Sequence, residues 1–199
     1  MWTDLAAHAA QHLSLAGAAL GLALLAGLPL GALSGSFGPV RGLALAFSGI
    51  GRTLPSLAVL MLLLPLLGVG ALPAVVALAL LAVPPIVIAV DLGIRGVPAG
   101  ALDAASGMGM TALGRFVRVI VPLSLPVSFS GVRTAVTETI ASATLATFIG
   151  AGGLGDEIVR GLQTNDPAML LAGAGAVALL ALLAEFALGA VAHAIEARV

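Results

Sequence analysis

Few side chains in this sequence are equipped for chemistry, and their spacing limits what they can do. His8 and His12 stand four residues apart, a spacing at which two imidazoles on one helix can share a metal ion. No third ligand accompanies them, so they are read as residues of a helix leading into an apolar segment, and no metal site is assigned. The run GAGGLG at positions 150–155 has the glycines of a phosphate-cradling loop but lacks the Lys and the following Ser or Thr of a P-loop. Gly150, Gly152, Gly153 and Gly155 are read instead as a tight turn whose backbone conformations a side chain would block. Arg133 and Glu138 lie in an otherwise apolar stretch, where each charge is costly and merits a functional hypothesis. Five residues apart on a helix, they point about 140° away from each other and are not partners on one face. Arg133 either reaches the membrane interface with its long side chain or lines a path, and Glu138 either lines the path or pairs with a neighbouring helix. Glu185 has the same two options. Cysteine is absent, which excludes thiol catalysis and disulfides. No Ser/His, His/Glu or Asp pair forms a catalytic constellation, and no catalytic residue is assigned.

The elements that hold these residues must cross a membrane. Sixty per cent of the 199 residues are hydrophobic and 9% are charged, against about 25% charged in a soluble domain, and mean hydropathy is +1.19. With 8 basic residues, 9 acids and a net charge of −1, nothing forms a basic patch for a nucleic acid. The expected architecture is an all-α integral membrane protein, a single domain over residues 1–199 with about five spans. These spans fall near residues 13–33, 54–72, 73–91, 126–149 and 167–193. Residues 35–52 are placed outside the hydrocarbon and residues 92–125 form a polar loop. Residues 150–166 are a short connection on the opposite side. Pro65, Pro73, Pro84 and Pro85 are expected to bend or break the second and third spans. The N-terminus lacks the basic flank of a secretory signal, so its apolar run is read as a retained span.

The distribution of Arg orients the chain. With the N-terminus outside and the C-terminus in the cytoplasm, the inner segments collect Arg41, Arg52, Arg95, Arg115, Arg118 and Arg198, leaving Arg160 outside. The reverse orientation violates the positive-inside bias. The polar loop 92–125 is then cytoplasmic and the glycine turn external.

That loop contains LDAASGMGMTALGRFVRVIVPLSLP at 102–126. It reads as a short helix with a surface of small residues, with Asp103 favouring its N-terminus, then a turn at Gly107 and Gly109. A basic amphipathic helix follows, which Pro122 and Pro126 stop before the next span. The stretch resembles the signature loop of binding-protein-dependent ABC importer permeases, in which EAA is followed by three residues, Gly, nine residues and I-x-L-P. Asp103, Ala104 and Ala105 stand for EAA, and Gly109 keeps the spacing. Val119, Val121 and Pro122 take the final positions. The resemblance implies a coupling helix over Asp103, Ala104, Ala105, Ser106, Gly107, Met108 and Gly109, seated in a cleft of a cytoplasmic ATPase.

GRTLPSLAVLMLLLPLLGVG at 51–70 and GVRTAVTETIASATLATFIGAGGLGDEIVRGLQTND at 131–166 look like the osmoprotectant branch of that family, which imports glycine betaine, carnitine or choline. The resemblance implies a bacterial inner-membrane permease without enzymatic activity that binds no cofactor itself. Its implied partners are a cytoplasmic ABC ATPase dimer carrying ATP and Mg, a second permease subunit (identical or not), an extracytoplasmic substrate-binding protein and membrane lipid. The third span ends in Val87-Ile88-Ala89-Val90-Asp91, where relatives carry a more polar segment. With six Phe, one Trp and no Tyr, the chain is poorly supplied for an aromatic cation cage. The specificity site is therefore expected on the separate binding protein. Two alternatives are a permease for another small solute such as methionine and a standalone secondary carrier. The carrier is disfavoured because the chain shows no repeated halves.

Overall fold

The computed structural model describes residues 2–197, so Arg198, counted among the basic residues above, lies outside the described residues. The order is α1 (Trp2–Ser36), α2 (Gly38–Thr53), α3 (Ser56–Leu67), α4 (Ala71–Arg95), α5 (Ala99–Gly107) and α6 (Ala112–Arg115). A π-helical turn (Phe116–Ile120) leads into α7 (Val121–Ser142). A 3-10 segment (Ala143–Ile149), α8 (Leu154–Gln163) and α9 (Pro167–Glu196) follow. Among the described residues the fold is all-α, with four helical stretches long and apolar enough to cross a bilayer. The α2–α3 pair, bent by 102°, makes a fifth if the two are one span.

α4 is the centre of the bundle, with fifteen of its 25 residues buried. Lipid gives helices no hydrophobic reason to associate, so their contact depends on close backbone approach at small residues. α1 meets this need with Gly27, Gly31 and Gly35, which face Ile86, Val90 and Ile94 of α4. α7 meets it with Gly131, which lies against Ala89 and Pro85. Gly93 of α4 lies in turn against Ser124 and Ser128 of α7. α9 packs on α7 and α8 but buries only Gly173, leaving an apolar flank suited to lipid.

The helix bounds differ from the spans read by hydropathy in ways that local chemistry explains. Pro84 and Pro85 sit inside a continuous, buried α4 and do not break it, because the neighbouring helices hold them at Gly51 and Gly131. The sharp bend occurs instead at Leu54 and Pro55, where the residue before proline is driven into extended conformation (ψ 130°). Of residues 35–52, placed outside the hydrocarbon, Gly35 and Ser36 end α1 and the rest from Gly38 form α2, whose Leu43, Phe47 and Ile50 are exposed apolar side chains. The boundary between the second and third spans lies at Gly68 and Gly70, both at positive φ, and not at residue 72.

Pro122 and Pro126 do not stop the helix before the fourth span, which runs from α6 through α7 into the 3-10 segment without a break. Pro122 falls in the first turn of α7. There the preceding π turn has already shifted the hydrogen-bond register, so the missing N–H is tolerated. Residues 150–166, read as a connection, contain α8, which is strongly amphipathic.

Candidate functional site

Pro98 sets the start of α5, so Asp103 is the fifth residue of that helix and does not mark its N-terminus as its sequence position implied. Ala105 is 1% exposed and anchors the helix. Its carbonyl accepts from Met110 N at 3.1 Å, closing a turn around Gly109 at φ 75°. Ser106 Oγ donates to the Leu102 carbonyl at 2.8 Å and accepts from Arg115 Nη1 at 2.5 Å, tying α5 to α6. Asp103, Ala104, Gly107, Met108 and Gly109 are left facing outward, with Met108 69% exposed. The result is a small-residue knob braced from behind, at the end of the bundle where α4 finishes.

Midway along the bundle, a cleft of about 350 Å³ opens where α2 breaks into α3. Arg52, Ser56, Glu138, Thr139 and Ser142 supply its polar lining. Gly51, beside Arg52, abuts Pro84 near the middle of α4, so Arg52 does not belong with the basic residues at the α5 end. Glu138 is exposed to the cleft. Arg133, expected to reach the membrane interface or to line a path, instead crosses to α9 and pairs with Glu185. Replacing Glu185 with Gln, or Arg133 with Gln, is expected to lower the unfolding temperature of the detergent-solubilised protein. The double variant should lose no more than the worse single one, and additive losses would show that the two side chains act separately.

At the opposite end, Gly150, Gly152 and Gly153 have φ of 71°, 79° and 94°, conformations that a side chain resists. Gly155 is constrained by space, since a Cβ there would lie 2.1 Å from the Thr144 carbonyl oxygen. The loop is clamped from α1: Gln11 donates from Nε2 to the Ala151 carbonyl at 2.9 Å and accepts from Gly153 N at 3.2 Å. His12, fully buried, donates from Nε2 to the Ile140 carbonyl at 2.8 Å. His8 Nδ1 lies 2.7 Å from Glu157 Oε1. The two histidines thus serve different partners across one helix–loop seam. Gln11→Ala removes both loop contacts, each worth about 1 kcal/mol. Faster amide hydrogen exchange at residues 151–155 is the expected result, and unchanged protection would show that the glycines alone hold the turn.

These three features lie on one chain that the profile of the family described as binding-protein-dependent transport system inner membrane component matches over residues 27–199. The chain belongs to that family. Among its relatives, a carnitine transport permease protein of Listeria monocytogenes is 41% identical over 179 residues, which cover 90% of this chain and 82% of the relative. An osmoprotectant import permease protein of Salmonella typhimurium is 40% identical, covering 89% of this permease and 85% of its own length. In fold, the permease superposes on a chain of the inward-facing MetNI methionine ABC transporter with TM-score 0.82, at 22% identity over 93% of each chain.

The sequence reading of the permease named the residues of the α5 knob, the glycine turn, Arg133 and Glu138. It missed the Gln11 clamp, for which the signal was present: His8, Gln11 and His12 share one helix face at spacings of three and four. It also missed a buried cluster near the α5 end. Asp91, 3% exposed, accepts from Ser34 Oγ at 2.6 Å and from Arg41 Nε at 3.4 Å. The cluster joins α1, α2 and α4. In the sequence Asp91 shows only as the polar end of a span.

Proposed function

We propose that this permease is the channel-forming subunit of an ATP-driven importer for quaternary ammonium osmoprotectants such as glycine betaine, choline and carnitine. The observation that carries the proposal is the identity of about 40% over some nine-tenths of the chain to permeases named for those solutes. The α5 knob supports it, because a braced, outward-facing helix of small residues suits insertion into a groove of a partner protein. In this reading Asp103, Ala104, Ser106, Gly107, Met108 and Gly109 meet a cytoplasmic ATPase, with Ala105 holding the helix in place.

Arg41, Arg95, Arg115 and Arg118 gather at the α5 end, and Arg160 lies on α8 at the other. With the positive-inside bias, this distribution supports a cytoplasmic α5 and an external glycine turn. Closure of an ATPase dimer on ATP and Mg draws two coupling helices together and opens the paired permeases outward. An external binding protein releases its solute into the opened cavity. The clamped glycine turn and Glu138 belong to the external gate and the path.

The test is uptake of labelled solute by cells stripped of their own osmoprotectant carriers and supplied with the complete transport system. Import of glycine betaine, choline or carnitine that disappears when this subunit is omitted is the expected result. Import of methionine and of none of the three would overturn the substrate class.

A further inference from the structure

The cleft at the α2–α3 break holds two charges that the fold leaves unanswered. Among the described residues, neither Arg52 nor Glu138 makes an ion pair or a side-chain hydrogen bond, although both line the same 350 Å³ space. Arg52 follows Gly51, which abuts Pro84, the fourteenth of the 25 residues of α4. Glu138 is two residues from Ile140, which packs against Leu78 and Ala79 of the same helix. Both charges therefore sit well inside the length of the central span. Charges at that depth are rare unless they pair or face a water-filled path. A broken helix at membrane depth is a recurrent way to build such a path.

We infer that this cleft is a transit site for a compact zwitterion, with Arg52 receiving the carboxylate and Glu138 the cationic centre. This inference rests on the import function proposed above. A neutral solute would leave both charges unanswered, and a simple cation would leave Arg52 so. A solute carrying a carboxylate and a quaternary ammonium answers both at once. The guanidinium fork matches a carboxylate with two parallel hydrogen bonds. Ser56, Thr139 and Ser142 add hydroxyl groups at the wall. The volume falls at the small end of the range for small-molecule sites, about 300–1,000 Å³, and so selects short molecules. Among the described residues no aromatic side chain lines the cleft, so the cation is held by charge without a π cage. A solute in transit must be bound weakly enough to leave, and such a site meets that requirement.

The experiment uses the complete transporter in proteoliposomes with one binding protein throughout, measuring ATP-dependent uptake of labelled glycine betaine and of choline, which lacks the carboxylate. Arg52→Gln is expected to lower glycine betaine uptake about tenfold or more, the scale of a lost charge-assisted bond, while choline uptake falls much less. Arg52→Lys, which restores the charge without the fork, should recover glycine betaine uptake only in part but clearly above Arg52→Gln. Glu138→Gln should lower both about tenfold. Intact subunit assembly in each variant is confirmed by co-purification with the ATPase.

A wild-type transporter that imports neither solute overturns the import function and this inference with it. Import with a betaine-to-choline ratio unaltered by Arg52→Gln overturns the inference alone. If the wild type imports glycine betaine only, equal uptake by Arg52→Gln and Arg52→Lys does so. Full recovery in a swap of Arg52→Glu with Glu138→Arg would assign the two charges to contact between permease copies, and would also overturn it.

Discussion

Gly131→Leu unfolds at a temperature lower than the parent protein by about 6–12 °C, the shift expected of about 3 kcal/mol in a chain of this size. A Cβ at Gly131 would lie 2.3 Å from Ala89 Cβ and 2.5 Å from the Pro85 carbonyl oxygen. Neither obstacle can rotate away, because one is a methyl on the helix surface and the other is backbone. The larger side chain therefore pushes α7 off α4 along the contact that organises the bundle. The control is Gly175→Leu on α9, where nothing lies within 4 Å and the midpoint should match the parent. Thermal unfolding of the detergent-solubilised variants measures both, and equal midpoints would show that the α4–α7 crossing yields easily.

The second large effect is functional and leaves the fold intact. Ala104→Arg is expected to cut ATP-dependent import by about tenfold or more, because a long, charged side chain on the exposed face of α5 obstructs seating in a partner's groove. The unfolding temperature should stay at the parent value, since Ala104 faces outward. Ala105→Arg reverses the order of damage: at 1% exposure the substitution has no room and destabilises the chain itself. Import by Ala104→Arg at the parent rate would overturn the proposed coupling role of α5.

What the sequence revealed follows from which interactions are local. The α5 knob was legible because its small residues and spaced glycines form a contiguous pattern, and only its start was misplaced, since Pro98 rather than Asp103 opens the helix. Hydropathy located the four long helices because apolarity over about 20 residues is a sum that needs no partner. It could not find α8, because Asp156, Glu157 and Arg160 lower the average over a helix whose apolar side faces inward. The α2–α3 bend had its signal in Leu54-Pro55, but among many prolines only the packing around each decides which ones interrupt a helix. Pro84 and Pro85 are held by glycines that are remote in sequence. The same remoteness hid the partners of Asp91, Gln11 and Arg133, which lie 50 to 142 residues away.

The glycines of α1 set a mechanical condition on any movement of the bundle. Gly27, Gly31 and Gly35 recur every four residues, and so do Ile86, Val90 and Ile94 opposite them. The two helices mesh like a rack with a pitch of about 6 Å. Sliding by less than one tooth would drive three branched side chains into helix backbone together. Sliding by a whole tooth would strip one of the three engagements. α1 and α4 therefore move as one body, with α2 tied to both through the Asp91 cluster, and any rearrangement of the bundle falls to parts not geared to that body, such as the lightly seated α9.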